Sequence, residues 1–171
     1  LDRLHRSEEA IPAYRRAIEI DPGYVVARFN LGVAFVILGR YDEAIECLRR
    51  AIEQKPDFAE AHFRLGYAFY ISGRKSEAEA SYRRSLEIAP PYASAHFYLG
   101  EVLRTMGRPA EAKAEFEKAL LVTATDRSAH IALAWLLCTC DREEILDPPM
   151  ALVHARKVVS LESKDAVELE I

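Results

Sequence analysis

The chain has 171 residues, 50% of them hydrophobic and 29% charged, a balance that supports a folded protein and excludes disorder. Its net charge of −4 leaves little field for a polyanion and argues against nucleic acid as a partner. Seven glycines and eight prolines make about 9% of the chain against roughly 12% in average usage, too few turn residues for a sandwich or barrel of many short strands.

In chain order, Leu1–His5 reads as the end of one helix and Ser7–Ile20 as a second, with Pro12 just beyond its first turn. From Val25 the chain repeats itself. Gly32, Gly66 and Gly100 stand 34 residues apart, as do Gly39, Gly73 and Gly107, and Pro22, Pro56 and Pro90 share that period. The blocks Ala27-Arg-Phe-Asn-Leu-Gly32, Ala61-His-Phe-Arg-Leu-Gly66, Ala95-His-Phe-Tyr-Leu-Gly100 and Ala129-His-Ile-Ala-Leu-Ala134 align without a gap. In the second copy a first helix spans about Glu60 to Ser72, and Gly73 follows as the left-handed residue past its end. Ser76 is the expected N-cap of a second helix, with Glu79 as its capping-box partner, and Pro90-Pro91 stops that helix near Ile88. In the fourth copy Asp141–Pro149 replaces the short turn after Cys140. The pattern resumes at Ala151, Ala155 and Val158, an insertion of five residues. Lys164–Ile171 begins a further helix or forms a frayed cap.

Numbered from Val25, Ala59 and Ala93, the copies carry a repeat signature. Phases seven, eight and eleven are Leu31-Gly32-Phe35, Leu65-Gly66-Phe69 and Leu99-Gly100-Leu103. Phase twenty is Ala44, Ala78 and Ala112, phase 24 is Leu48, Tyr82 and Phe116, and phase 32 is Pro56, Pro90 and Ala124. The pattern resembles the tetratricopeptide repeat, with the Trp of phase four replaced by Arg28, His62, His96 and His130. The resemblance implies an all-α fold, a right-handed α-solenoid (superhelix) of antiparallel helix pairs. It implies one array over 1–171: a partial repeat at 1–24, repeats at 25–58, 59–92 and 93–126, a divergent repeat at 127–165, and the start of a further helix or cap at 166–171. In such repeats phases eight and twenty are small because the two helices cross there. The Leu133–Leu137 run and its long turn resemble repeats near the ends of arrays in large bacterial proteins, so the chain is expected to be an excerpt of one.

Helix geometry then separates two faces of each first helix. At about 100° per residue, phases four, seven, eight and eleven share one side. Phases five, nine and twelve fall on the other, which in the family lines a concave ligand surface. Phase five holds Phe29, Phe63, Phe97 and Ile131; phase nine Val33, Tyr67, Glu101 and Trp135; phase twelve Val36, Tyr70, Arg104 and Cys138. Two readings stand side by side. The inner faces bury one another, the phase-five aromatics packing on neighbouring helices, or an open apolar groove takes an extended peptide or a partner helix. The carboxylate-clamp and asparagine-ladder patterns of the family's specialised members are absent, since Phe29, Val33, Arg64 and Tyr98 occupy the positions they need.

Other chemistry finds no support in the residues. His62, His96 and His130 recur one repeat apart, roughly 8–10 Å in stacked helices, too far to share a metal. Cys138 and Cys140 point about 200° apart on a helix and cannot chelate together. No phosphate loop, nucleophile elbow or zincin motif occurs, so no metal, cofactor or catalytic residue is expected. The pairs Arg15-Arg16, Arg49-Arg50 and Arg83-Arg84, with Glu19, Glu53 and Glu87 four residues on, read as a salt-bridged solvent face. No apolar run approaches the ~18 residues of a membrane span. Three cysteines, with Cys47, fit a reducing, cytoplasmic setting.

The expected function is therefore a non-catalytic scaffold that binds a protein or peptide ligand through apolar anchors. Two alternatives accompany it. One is self-association into a homo-oligomer through array ends near Leu1 and Val167–Ile171; the other is service as a targeting or regulatory arm of a larger enzyme.

Overall fold

The computed structural model describes the backbone of residues 2–168 and the side chains of residues 4–162. Among the described residues there are nine helices and no strand: α1 (Asp2–Ile20), α2 (Val25–Ile37), α3 (Tyr41–Gln54), α4 (Ala59–Ile71), α5 (Lys75–Ile88), α6 (Ala93–Thr105), α7 (Pro109–Val122), α8 (Arg127–Thr139) and α9 (Pro148–Glu168). The chain forms two compact units, Leu1–Pro90 and Pro91–Ile171. In the first, α2 packs between α1 and α3, and α4 between α3 and α5. In the second, α7 packs against α6 and α8, and α8 against α9.

The turns inside the first three pairs are one device used three times. Gly39, Gly73 and Gly107 have φ of 73°, 75° and 73°, a region that an L side chain rarely adopts. After each, an arginine amide donates to the carbonyl five residues back: Arg40 to Phe35, Arg74 to Phe69 and Arg108 to Leu103, at 2.9–3.0 Å. Each glycine amide donates three residues back at 3.0–3.1 Å, which completes a Schellman closure. The arginines also start the next helix. Arg40 pairs with Glu43, Arg74 with Glu77 and Arg108 with Glu111, each glutamate in the first helical turn where the macrodipole favours negative charge. The hydrogen bonds from Arg40 and Arg74 hold the Glu43 and Glu77 carboxyls below their ordinary range. This replaces the expected Ser76–Glu79 capping box. α5 begins at Lys75 after the N-cap Arg74, which makes no side-chain cap bond, so Ser76 is already inside the helix.

Inside each pair the helices interlock through a glycine. A Cβ on Gly32 would stand 2.8 Å from the Leu48 side chain, on Gly66 2.9 Å from the Tyr82 ring, and on Gly100 2.6 Å from the Phe116 ring. Leu48, Tyr82 and Phe116 are fully buried, so none can swing aside. The side chain nearest to each glycine is thus that of phase 24. Ala44, Ala78 and Ala112 are completely enclosed too. The fourth copy carries neither the glycine nor the large side chain. Its phase eight is Ala134, and the position matching the ring, counted past the insertion, is Ala155.

Two boundaries differ from expectation. α1 is a single helix, because nothing at Arg6-Ser7 breaks it and Pro12 is accommodated within it. α9 runs unbroken through 164–168, so no new helix begins at 166; residues 169–171 lie outside the described residues. The connection between α8 and α9 spans 140–147 where the other pairs use three residues. It is ordered by Ile145, which is buried, by the Asp147 amide donating to the Leu137 carbonyl at 3.0 Å, and by the Asp147 carboxylate capping Met150 at 3.0 Å. The arginine pairs form intrahelical ion pairs at spacings other than the expected glutamate four residues on: Arg16 with Glu19 and Arg84 with Glu87 three residues on, Arg50 with Glu46 and Arg83 with Glu79 four residues back. These are exposed and each contributes at most a few tenths of a kcal/mol.

The glycine interlock makes a direct prediction. Gly66→Ala drives a methyl into an immobile ring and lowers unfolding free energy by about 1–3 kcal/mol, read by urea denaturation. An unchanged midpoint would refute the interlock.

Candidate functional site

The side chains expected to line a ligand surface separate into three fates. Phe29, Phe63 and Val36 are buried. Phe29 stacks on Phe58 at 4.7 Å and Phe63 on Tyr82 at 5.8 Å, so these phase-five rings belong to the core and offer nothing to a ligand. The reason is that an aromatic at phase five is long enough to lie across its neighbour, and enclosure gains more than exposure. Val33, Tyr67 and Tyr70 are half-buried; Val33 lines a small recess of about 220 Å³ between α1 and α2 with Tyr14, Asn30 and Ile37.

The remaining four, Phe97, Glu101, Arg104 and Trp135, come together in the second unit. They line a recess of about 520 Å³ between α6 and α8, completed by Ser128, Ile131 and Ala132. Phe97 forms its floor, half-buried against Phe116 at 5.8 Å. Ile131 and Trp135, one turn apart on α8, are 52% and 53% exposed, a large apolar surface for adjacent residues of one helix to leave in water. Arg104 donates to Glu101 through two nitrogens at 3.1 and 2.8 Å, and its guanidinium lies over the Trp135 ring at 5.1 Å. Arg104 and Trp135 also border a second recess, of about 320 Å³, that continues over Thr139, Asp141 and Arg142. Ile131 was visible in the sequence as the phase-five residue of the fourth copy. Ser128, at phase two, and Ala132 carry no signal beyond their place on the same face.

The polar residues that replace the family's phase-four Trp are tied down. Arg28 donates to the Pro22 carbonyl at 2.8 Å, the His62 Nε2 lies 3.0 Å from the Pro56 carbonyl, and the His130 Nε2 lies 3.1 Å from the Ala124 carbonyl. Each bonds the loop six residues before it. His96 instead meets the buried Glu115 at 2.7 Å through Nδ1, and Glu115 also accepts from Lys118 at 2.7 Å. Among the described residues no group of three or more His, Cys, Asp or Glu is placed to hold a metal ion, and no helix is long and apolar enough to cross a membrane. Burial pushes the Cys47 thiol up, away from reactivity.

A family model described as tetratricopeptide repeat matches residues 1–46 and 29–93, and a second with the same description matches 69–136. The chain belongs to the tetratricopeptide repeat family. Its helix pairs are those of that family, whose stacked repeats serve as scaffolds for protein–protein interaction. Among curated proteins it is similar to the peroxisomal targeting signal receptors of Eremothecium gossypii, 51% identical over 41 residues, and of Candida glabrata, 50% identical over 41 residues. Those matches cover 24% of this chain and 7% of either receptor. Among solved structures, a crystal structure of MamA aligns with a TM-score of 0.83 at 26% identity, over 94% of this chain and 91% of that one. MamA 41-end from Desulfovibrio magneticus RS-1 aligns at 0.82 with 20% identity over 92% and 86%, a likeness of fold alone.

One pair in this tetratricopeptide array makes stability depend on pH. His130 Nδ1 and His154 Nδ1 are 2.8 Å apart, which requires one donor and one acceptor. With the His130 Nε2–H engaged by the Ala124 carbonyl, neutral His130 accepts at Nδ1 and His154 donates. Burial, then the electrostatic influence of His130, holds the His154 pKa below its ordinary value; Glu117 of α7 opposes this and Lys113 of α7 adds to the lowering. A folded pKa below the unfolded one means the stability is complete above the ordinary imidazole pKa of about 6.5 and is lost as pH falls below it. The melting temperature therefore drops between pH 7.5 and 5.5, and His154→Gln flattens that drop. An identical slope in the variant would remove this pair as its source.

Proposed function

We propose that this chain is a non-catalytic scaffold that holds a peptide segment of a protein partner in the recess between α6 and α8. The observation that carries the reading is the pairing of Ile131 and Trp135, half-exposed side by side above Phe97 in a recess of about 520 Å³. Exposed apolar surface in a concavity gains free energy when a partner's side chain displaces its water, roughly 25 cal/mol per Å² covered. Membership of a family of interaction scaffolds supports it, as does local similarity to receptors named for a targeting signal. Trp135 is the single tryptophan of the chain, so its emission reports occupancy directly.

The test is selection of peptides from a displayed random library, followed by titration of the purified chain. Trp135→Ala and Ile131→Ala are each expected to weaken selected peptides by at least tenfold, about 1.4 kcal/mol, the scale of a binding hot spot. Affinities that stay within about twofold of wild type would sink the reading.

A second reading, self-association, has its own observation. Leu152, Val153 and Val159 on α9 are each more than half exposed. The side chains of Leu1 and Val167–Ile171, where the ends were expected to stack, lie outside the described residues. Light scattering across a wide concentration range separates the readings: a mass that grows with concentration and is reset by Leu152→Lys supports stacking, and a constant monomer mass eliminates it.

A further inference from the structure

We infer that Glu101 sets the ligand class of the α6–α8 recess: by cancelling Arg104 it makes the site take an uncharged aliphatic or aromatic side chain and turn away carboxylates and phosphates. The inference rests on the reading that this recess is the binding site.

An arginine at the edge of an apolar pocket is ordinarily an anion receptor, because its planar fork matches a carboxylate or phosphate with two parallel bonds. Here that fork is already engaged. Glu101 accepts from both the Nε and Nη2 of Arg104, and the cationic plane rests on the Trp135 ring. An incoming anion would have to displace Glu101, whose side chain is only 17% exposed. The exchange replaces one bidentate pair by another and strands a poorly solvated carboxylate without its partner, so nothing is gained. An uncharged side chain disturbs none of this. It meets Phe97, Ile131 and Trp135, with the ion pair kept intact as a wall.

The adjoining recess carries Asp141 and Arg142 on its lining, Arg142 donating to the Gly107 carbonyl at 3.4 Å, so the cancelled pair that governs selection is Glu101–Arg104 alone. Such a pair selects by exclusion: a charge entering the α6–α8 recess meets an arginine already engaged, and the apolar contact decides.

The experiment uses the full chain and two pools of short fluorescein-labelled peptides, identical except for a central position that is Leu, Met or Phe in one and Glu or phosphoserine in the other. Binding is read by fluorescence anisotropy. Wild type is expected to prefer the apolar pool by at least about tenfold, Glu101→Gln to narrow or reverse that preference by about tenfold, and Glu101→Gln with Arg104→Gln to restore it. A preference unchanged within about twofold in Glu101→Gln overturns the inference. A second measurement needs no variant. Affinity of wild type for the apolar pool changes less than about twofold between low and high salt, and a steep fall overturns the inference because it would mean that a charge is engaged. Failure of the underlying reading looks different: Trp135→Ala then binds both pools as wild type does, or wild type binds neither.

Discussion

The contact on which the helix pairs depend is the one between a glycine and the side chain sixteen residues later. Gly32 lies under Leu48, Gly66 under Tyr82 and Gly100 under Phe116, each so close that a methyl group would not fit. This brings two helical backbones together at one point, and the large side chain fills the space that remains on either side of it. The density of the interior follows from that pairing.

Around this interlock the charged residues work locally. Arg40, Arg74 and Arg108 close one helix with a backbone amide and open the next by pairing with a first-turn glutamate. Arg40 and Arg74 also rest on the Phe35 and Phe69 rings, at 4.5 and 4.6 Å. Arg28, His62 and His130 tie the start of a helix to the loop before it. Such bonds satisfy polar groups near where the chain places them and leave the shaping of the surface to the apolar residues. The recess between α6 and α8 has its character for that reason. Its charges are spent on each other, and Phe97, Ile131 and Trp135 supply its apolar lining.

The repeat period, the helix pairs, the three glycine turns and the phases of the core were legible in the residues because each depends on short-range chemistry. A positive φ needs glycine, a 34-residue period needs a stacked unit, and an enclosed helix crossing needs small side chains. The candidate site was legible only in part. Phe97, Glu101, Arg104 and Trp135 stand where the helical phases put them, yet Phe29, Phe63 and Val36, at identical phases, are enclosed. Helical phase gives the direction in which a side chain leaves its helix. It does not give the distance to the next surface.

By itself, the order of residues determined the family, the all-α pairing and the three glycine turns, since these are properties of one helix and its neighbour in sequence. Only the tertiary structure decided which large side chain sits over each glycine, that Arg74 rather than Ser76 opens α5, and that Ile131 and Trp135 leave apolar surface exposed at the α6–α8 recess. The physical reason is the same in each case. Burial is a property of the space between elements, and that space exists only once they have packed.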